Sequence, residues 1–321
     1  MFDKKHATLV FGSAVLFFLV SCAYESRAIK KTSLSYSNFL SGLVNERLGN
    51  FKEAALCYRR AQEYDQTASV LHLRLAFDLI KLEKYVQAAN ELEKTLSLAP
   101  QQDDVRYVLA LIYVQLDNYQ KAIEQYERLL QSGHNERSRV IELRRILSQL
   151  YFLRQNYVLA KSQCWELLKL DPLNLSGLYF LATIDLEEGR VSEAAVRFQE
   201  IIENYPQAAQ ARNALAYLYC EESINLPQAL ILAEQAIEID PSNGAYIDTL
   251  GWIYFKLGDF DQAVVYLEKA SQLEFDPEIF NHLGQAYAAK NMMIKAKEVW
   301  ESSLRLDPSQ KNVRNYLKGV K

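Results

Sequence analysis

Small apolar residues recur along this chain at a nearly fixed interval. Ala54, Ala88, Ala122, Ala160, Ala194, Ala229, Ala263 and Ala296 are separated by steps of 34, 34, 38, 34, 35, 34 and 33 residues. A second small series, Gly42, Ala76, Ala110, Ser148, Ala182, Ala216, Gly251 and Gly284, precedes each alanine. Small residues at two facing places let a pair of helices approach closely while larger side chains interdigitate around them. Phe51, Tyr85, Tyr119, Tyr157 and Phe260 stand three residues before an alanine and plug the turn end of each pair, with Val191 and Met293 at two other such places. Pro100, Pro172, Pro206, Pro241 and Pro308 follow an alanine by twelve residues, Pro277 is displaced by two, and Pro227 lies in the inner turn of the sixth unit. Proline is tolerated at a helix start and disfavoured inside, so it marks the unit boundaries. The spacing predicts eight helical pairs at roughly 35–68, 69–102, 103–136, 141–174, 175–208, 209–243, 244–276 and 277–310. The segment from Gln310 to Val320, polar on much of its surface, reads as a capping helix, with 311–321 closing the chain. The step of 38 leaves an irregular polar stretch, Gln131 to Arg139, between the third and fourth units. It reads either as a longer loop or as a hinge at 131–140.

The run from Leu250-Gly251-Trp252-Ile253-Tyr254 through Gly258-Asp259-Phe260 to Ala263, and the run Leu48-Gly49-Asn50-Phe51-Lys52-Glu53-Ala54, resemble the tetratricopeptide repeat. The resemblance implies an all-α fold, a right-handed superhelical solenoid of about eight helix–turn–helix hairpins plus a C-terminal capping helix. It also implies that the first helix of each hairpin lines a concave groove. Mapping the family's groove positions gives Phe39, Phe77, Tyr107, Phe152, Tyr179, Tyr217 and Trp252 as candidate binding residues, with Asn213, Cys220, Asp248 and Glu278 also on the lining. Contiguous exposed apolar surface marks partner sites, and aromatic anchors dominate their energetics. The groove is therefore expected to hold an extended or helical peptide. The competing reading is that several of these rings pack against the next repeat. On the groove reading, exchanging Tyr107 and Trp252 together for alanine abolishes partner capture and leaves the helical circular dichroism intact. The carboxylate clamp of co-chaperone repeats is missing, because the fifth positions run Phe39, Leu73, Tyr107, Arg145, Tyr179, Asn213, Asp248 and Asn281.

The first residues alter the picture. A short head with Lys4 and Lys5 precedes an uncharged run from Ala7 to Val20. A basic head before an apolar run of this length is a secretory signal pattern, and the run is short for a permanent span. Its end, Leu19-Val20-Ser21-Cys22, resembles the bacterial lipobox. That resemblance implies a lipoprotein signal peptide at 1–21, acylation of Cys22, and a tether over 22–34. Several acyl chains on one residue anchor firmly, at about 0.8 kcal/mol per buried CH₂. Ala23 is not the aspartate that retains lipoproteins in the inner membrane of enteric bacteria, so the resemblance favours the outer membrane, facing the periplasm.

Composition narrows the function. The chain has 321 residues, 50% of them hydrophobic, with 36 Lys+Arg against 40 Asp+Glu. Such a chain is not disordered, and its acidic balance offers no electrostatic footprint for nucleic acid. Cys57, Cys164 and Cys220 are scattered, as small buried residues would be. His72, His134 and His282 lie far apart, and no phosphate-cradling, nucleophile-elbow or zinc-binding motif occurs. The pairs Glu187-Glu188 and Glu221-Glu222 read as a solvated face. No enzyme activity, cofactor or metal is expected. The sequence reads as a membrane-anchored scaffold that binds other cell-envelope proteins through an aromatic-lined groove, with pilus, secretin or outer-membrane assembly as the settings the resemblance suggests. The alternative is a ligand-binding accessory lipoprotein of a transport system.

Overall fold

The computed structural model describes residues 29–133 and 136–319. The signal-like run, the lipobox-like segment and Cys22 lie outside them, as do His134 and Asn135. Among the described residues there are seventeen helices and no strand.

Two compact units divide the chain between Arg154 and Gln155. The first holds α1 (29–47), α2 (Phe51–Tyr64), α3 (Ser69–Lys81), α4 (Tyr85–Leu98), α5 (Asp103–Gln115), α6 (Tyr119–Gln131) and α7 (Arg137–Leu153). The second holds α8 (Tyr157–Leu170), α9 (Leu175–Glu187), α10 (Val191–Asn204), α11 (Ala209–Glu221), α12 (Leu226–Ile239), α13 (Gly244–Leu257), α14 (Phe260–Leu273), α15 (Pro277–Ala289), α16 (Met293–Leu306) and α17 (Lys311–Gly319). Within each unit, helices adjacent in sequence pack on one another in series.

Several hairpin crossings exchange a small residue for a large one. All eight period alanines are 0% exposed. Four residues further on, Tyr58, Leu92, Tyr126, Cys164, Phe198, Ala233, Leu267 and Trp300 are buried as well. At three crossings an earlier glycine makes room for the larger partner. A Cβ on Gly42 would stand 2.5 Å from the Tyr58 ring, one on Gly251 would stand 2.7 Å from Leu267, and one on Gly284 would clash with the Trp300 indole edge at Nε1. Glycine is unfavourable within a helix by up to about 1 kcal/mol against alanine, so these two helical pairings of glycine with a bulky ring persist because packing outweighs propensity.

The turns share a register. A residue just past each first helix takes a left-handed backbone: Gly49, Glu83, Asp117, Gln155, Gly189, Ser223 and Asn291 two positions after it, and Gly258 one position after it. At the second-helix starts, Asn118, Asn156 and Asp259 accept from backbone N–H groups, and at first-helix starts Asn174, Asn243 and Asp276 do the same. The α17 cap buries Val313 and stacks Tyr316 on Trp300 at 5.2 Å between centroids.

Two expectations change. Helix α1 is already present at residue 29, inside the stretch read as a tether; no glycine or proline stands between there and Gly42 to break it. The four extra residues before the fourth unit extend α7, which starts at Arg137 and so takes in 137–139 of the stretch read as irregular. The boundary between compact units lies after α7, and the two helices of the fourth hairpin fall one in each unit.

Candidate partner-binding surfaces

In the first unit the mapped rings divide between packing and exposure. Phe39 is half-buried against Tyr58, with centroids 5.9 Å apart. Tyr107 is half-buried edge-on to Tyr126 at 5.8 Å and carries the Arg139 guanidinium 5.9 Å over its ring. Phe152 is half-buried. Phe77 is exposed, as are Tyr36, Val70 and Leu111 at other first-helix positions.

Behind Phe77, Asp78 is buried with Oδ2 lacking a hydrogen-bond partner. Burial, reinforced by Glu46 and opposed by Arg74, pushes its carboxyl up to about 7. The folded chain thus holds a proton over a range in which the unfolded chain, near the ordinary value of about 3.9, has lost it. This group favours folding fully below that ordinary value, and the contribution fades as pH rises through about 7. Asp78→Asn should raise stability at pH 8 by about 1–2 kcal/mol, the scale of an unsatisfied buried polar group. The gain should vanish in acid; thermal melts of both proteins across pH measure it, and an equal gain at every pH would contradict the assignment.

Tyrosine–glutamate latches join neighbouring hairpins. Tyr113 donates to Glu93, Tyr151 to Glu127 and Tyr287 to Glu268, each from the eleventh position of a hairpin to the second helix of the preceding one. Lys121 and Lys295 lie over the Tyr113 and Tyr287 rings at 5.0 and 5.1 Å. In the fifth hairpin that position is Asp185, buried and bound by Lys161, Arg190 and Arg197 at 2.6, 2.8 and 2.6 Å. Glu188 joins this network, so it is not a free solvated group.

In the second unit the first helices of successive hairpins, α11 with α13 and α13 with α15, are closer neighbours than the second helices are. The stack is therefore tighter on the first-helix side, which is the concave one. Trp252 is not an exposed groove residue. It is 6% exposed, with its ring stacked between Phe255 at 4.6 Å and His282 at 4.1 Å, and its Nε1 donates to Glu221 at 2.6 Å. Cys220 is also buried, and burial together with Glu221 pushes its thiol up to about 12. Asp248 is buried, and it faces His282 Nδ1 at 3.0 Å. Burial alone would lower the imidazole, but Asp248, with Glu278 and Glu221, holds it above its ordinary range. Tyr179 is half-buried, edge-on to Phe198 at 5.5 Å. Tyr217 is half-buried and donates to Glu278 at 2.8 Å; burial and that carboxylate raise its hydroxyl.

Between α11, α13 and α15 this arrangement leaves a cleft of about 250 Å³. Asn213 and Tyr217 line one side, Ala245, Asp248 and Thr249 the floor, and Glu274, Asp276, Glu278 and Ile279 the other side. The sequence had placed Asn213, Tyr217, Asp248 and Glu278 here but not Glu274, Asp276 or His282. The displaced Pro277 and the 34-residue separation of Asp248 from His282 were the available signals. Among the described residues no group of three His, Cys, Asp or Glu side chains is placed to hold a metal ion.

Profiles described as tetratricopeptide repeat match residues 35–67, 79–147, 166–244, 246–277 and 277–310. The chain belongs to the tetratricopeptide repeat family. A tetratricopeptide repeat-containing protein of Pseudomonas aeruginosa is 29% identical over 120 residues, which is 37% of this chain and 20% of that protein. The type IV pilus assembly protein PilF of the same organism is 29% identical over 133 residues, 40% of this chain and 52% of PilF. The chain thus spans a fifth and about half of the lengths of these curated relatives. A tetratricopeptide repeat protein from Parabacteroides merdae superposes with a TM-score of 0.64 at 18% identity, over 79% of this chain and 98% of that one. Yeast Tom70 gives 0.56 at 20% identity, over 91% and 63%. These structural likenesses concern the tetratricopeptide fold.

Proposed function

We propose that this tetratricopeptide repeat chain is a scaffold that holds other cell-envelope proteins on the first-helix face of its hairpins and is anchored to the outer membrane through acylated Cys22. The observation that carries the binding half is the open cleft between α11, α13 and α15, on the concave side of a hairpin stack. Proteins of this repeat family bind protein or peptide partners, which supports the same half. The apolar run ending in Leu19-Val20-Ser21-Cys22 supports the anchor. The similarity to PilF, a type IV pilus assembly protein, supports pilus or secretin assembly as the setting.

Crosslinking in cells fed radiolabelled palmitate, with wild-type protein beside Cys22→Ala, tests both halves. Wild type should carry the label, fractionate with the outer membrane and yield identified envelope proteins as adducts. Cys22→Ala should lose the label and the membrane fraction. Absence of label on the wild-type chain overturns the anchor. Recovery of a bound small molecule in place of any protein overturns the scaffold in favour of a transport accessory.

A further inference from the structure

Helix α1 has an apolar side that nothing among the described residues covers. Ile29, Tyr36, Leu40 and Val44 recur at helical spacing and are all exposed. The opposite side meets the first hairpin: Ser35 and Gly42 are buried there, and Phe39 packs on Tyr58. Val44 is 59% exposed, whereas its counterparts in later first helices, Ile112, Leu150, Ile184, Leu218 and Ile253, are buried. Those helices follow another helix in the stack, and among the described residues none precedes α1. The polar Ser41 on this side is already satisfied, its hydroxyl donating to the Ser37 carbonyl at 3.0 Å.

The charges of α1 run against those of the chain. The whole sequence has more acidic than basic residues, 40 against 36. On α1 the exposed charges are Lys30, Lys31 and Arg47, all cationic. Its one acid, Glu46, is turned to the neighbouring helix, where Arg74 holds it at 3.3 Å. Two copies joined through this side would bring like charges together, whereas an anionic surface matches them. Position in the chain supplies the surface. Seven peptide steps from Cys22 to Ile29 reach at most about 25 Å, so an anchor at Cys22 keeps α1 within that distance of the headgroups.

We propose that α1 lies along the membrane surface, with Ile29, Tyr36, Leu40 and Val44 at the acyl boundary and Lys30, Lys31 and Arg47 among anionic headgroups. The proposal rests on the N-terminal anchor of the preceding reading and adds a second contact to it. An interfacial helix of this kind gains from buried apolar area and from attraction to anionic lipid together. It also fixes the first hairpin against the bilayer, which acyl chains on a flexible link would not do.

Photocrosslinking of the full chain in cells tests this. Benzoylphenylalanine replaces Leu40 or Val44 and, as controls, the comparably exposed Val86 on α4 or Val196 on α10. After illumination, peptides carrying position 40 or 44 should show the added mass of a phospholipid, and those carrying 86 or 196 should not. Lys30→Glu with Lys31→Glu should lower the lipid yield on the order of tenfold. Both lysines are exposed, so circular dichroism should be unchanged, and membrane fractionation should persist through Cys22. Protein adducts in place of lipid at 40 and 44, equal lipid yields at all four positions, or a yield indifferent to the lysine exchanges would overturn the proposal. A chain that fractionates with membranes yet gives no lipid adduct at 40 or 44 overturns it and leaves the anchor standing. A chain absent from the membrane fraction overturns both.

Discussion

Trp252→Ala should lower the stability of the second unit by about 3–5 kcal/mol, the range for removing a large buried aromatic. The indole is 6% exposed and fills the space between Phe255 and His282. Its loss opens a cavity between two hairpins. It also removes the donor from Glu221 and strips the ring that covers the buried Asp248–His282 pair. Chemical denaturation read by circular dichroism measures the effect, with the loss expected in the midpoint. A change below about 1 kcal/mol would place the ring at the surface after all, where truncations usually have small effects. The Tyr107 and Trp252 double exchange is therefore a poor probe of binding. Its loss of capture would come with loss of fold, against the intact helical signal expected from the sequence.

What was legible in the sequence was whatever packing enforces at every repeat. Ala54, Ala88 and their counterparts are small because two backbones meet there, and each is fully buried. The 34-residue recurrence expresses that constraint directly. The turn register was half legible. Gly49, Gly189 and Gly258 announce a left-handed residue, but Glu83 and Gln155 adopt it without any compositional sign, because the flanking helices impose it. The start of α7 was hidden because Arg137-Ser138-Arg139-Val140 is as polar as a loop yet contains nothing that breaks a helix. Trp252 was assigned to the groove because family position alone does not distinguish a ring facing solvent from one stacked under the next hairpin. The acidic character of the cleft was obscure for another reason. Glu274 and Asp276 come from the connector between α14 and α15, not from a repeating groove position.

The second large effect lies at the last hairpin crossing, where Gly284 meets the Trp300 ring. Gly284→Ala should destabilise by about 1–3 kcal/mol, because overpacking outweighs what alanine gains in a helix. Trp300→Leu should cost about 2 kcal/mol or more by leaving a void and unstacking Tyr316. The two changes together recreate the pairing of buried Ala76 with buried Leu92 in the second hairpin. The leucine vacates the volume that the new methyl group occupies, so the double variant should be more stable than the sum of the single effects implies.

The hairpins that pair a glycine with a large side chain, and with them the face that their first helices present to a partner, depend on this exchange of small for large. The double-mutant cycle at 284 and 300, measured by denaturant unfolding, is its most direct test. The account predicts a favourable coupling of about 1 kcal/mol or more between the two sites. Additive effects within about 0.3 kcal/mol would mean that the side chains do not meet, and would contradict it.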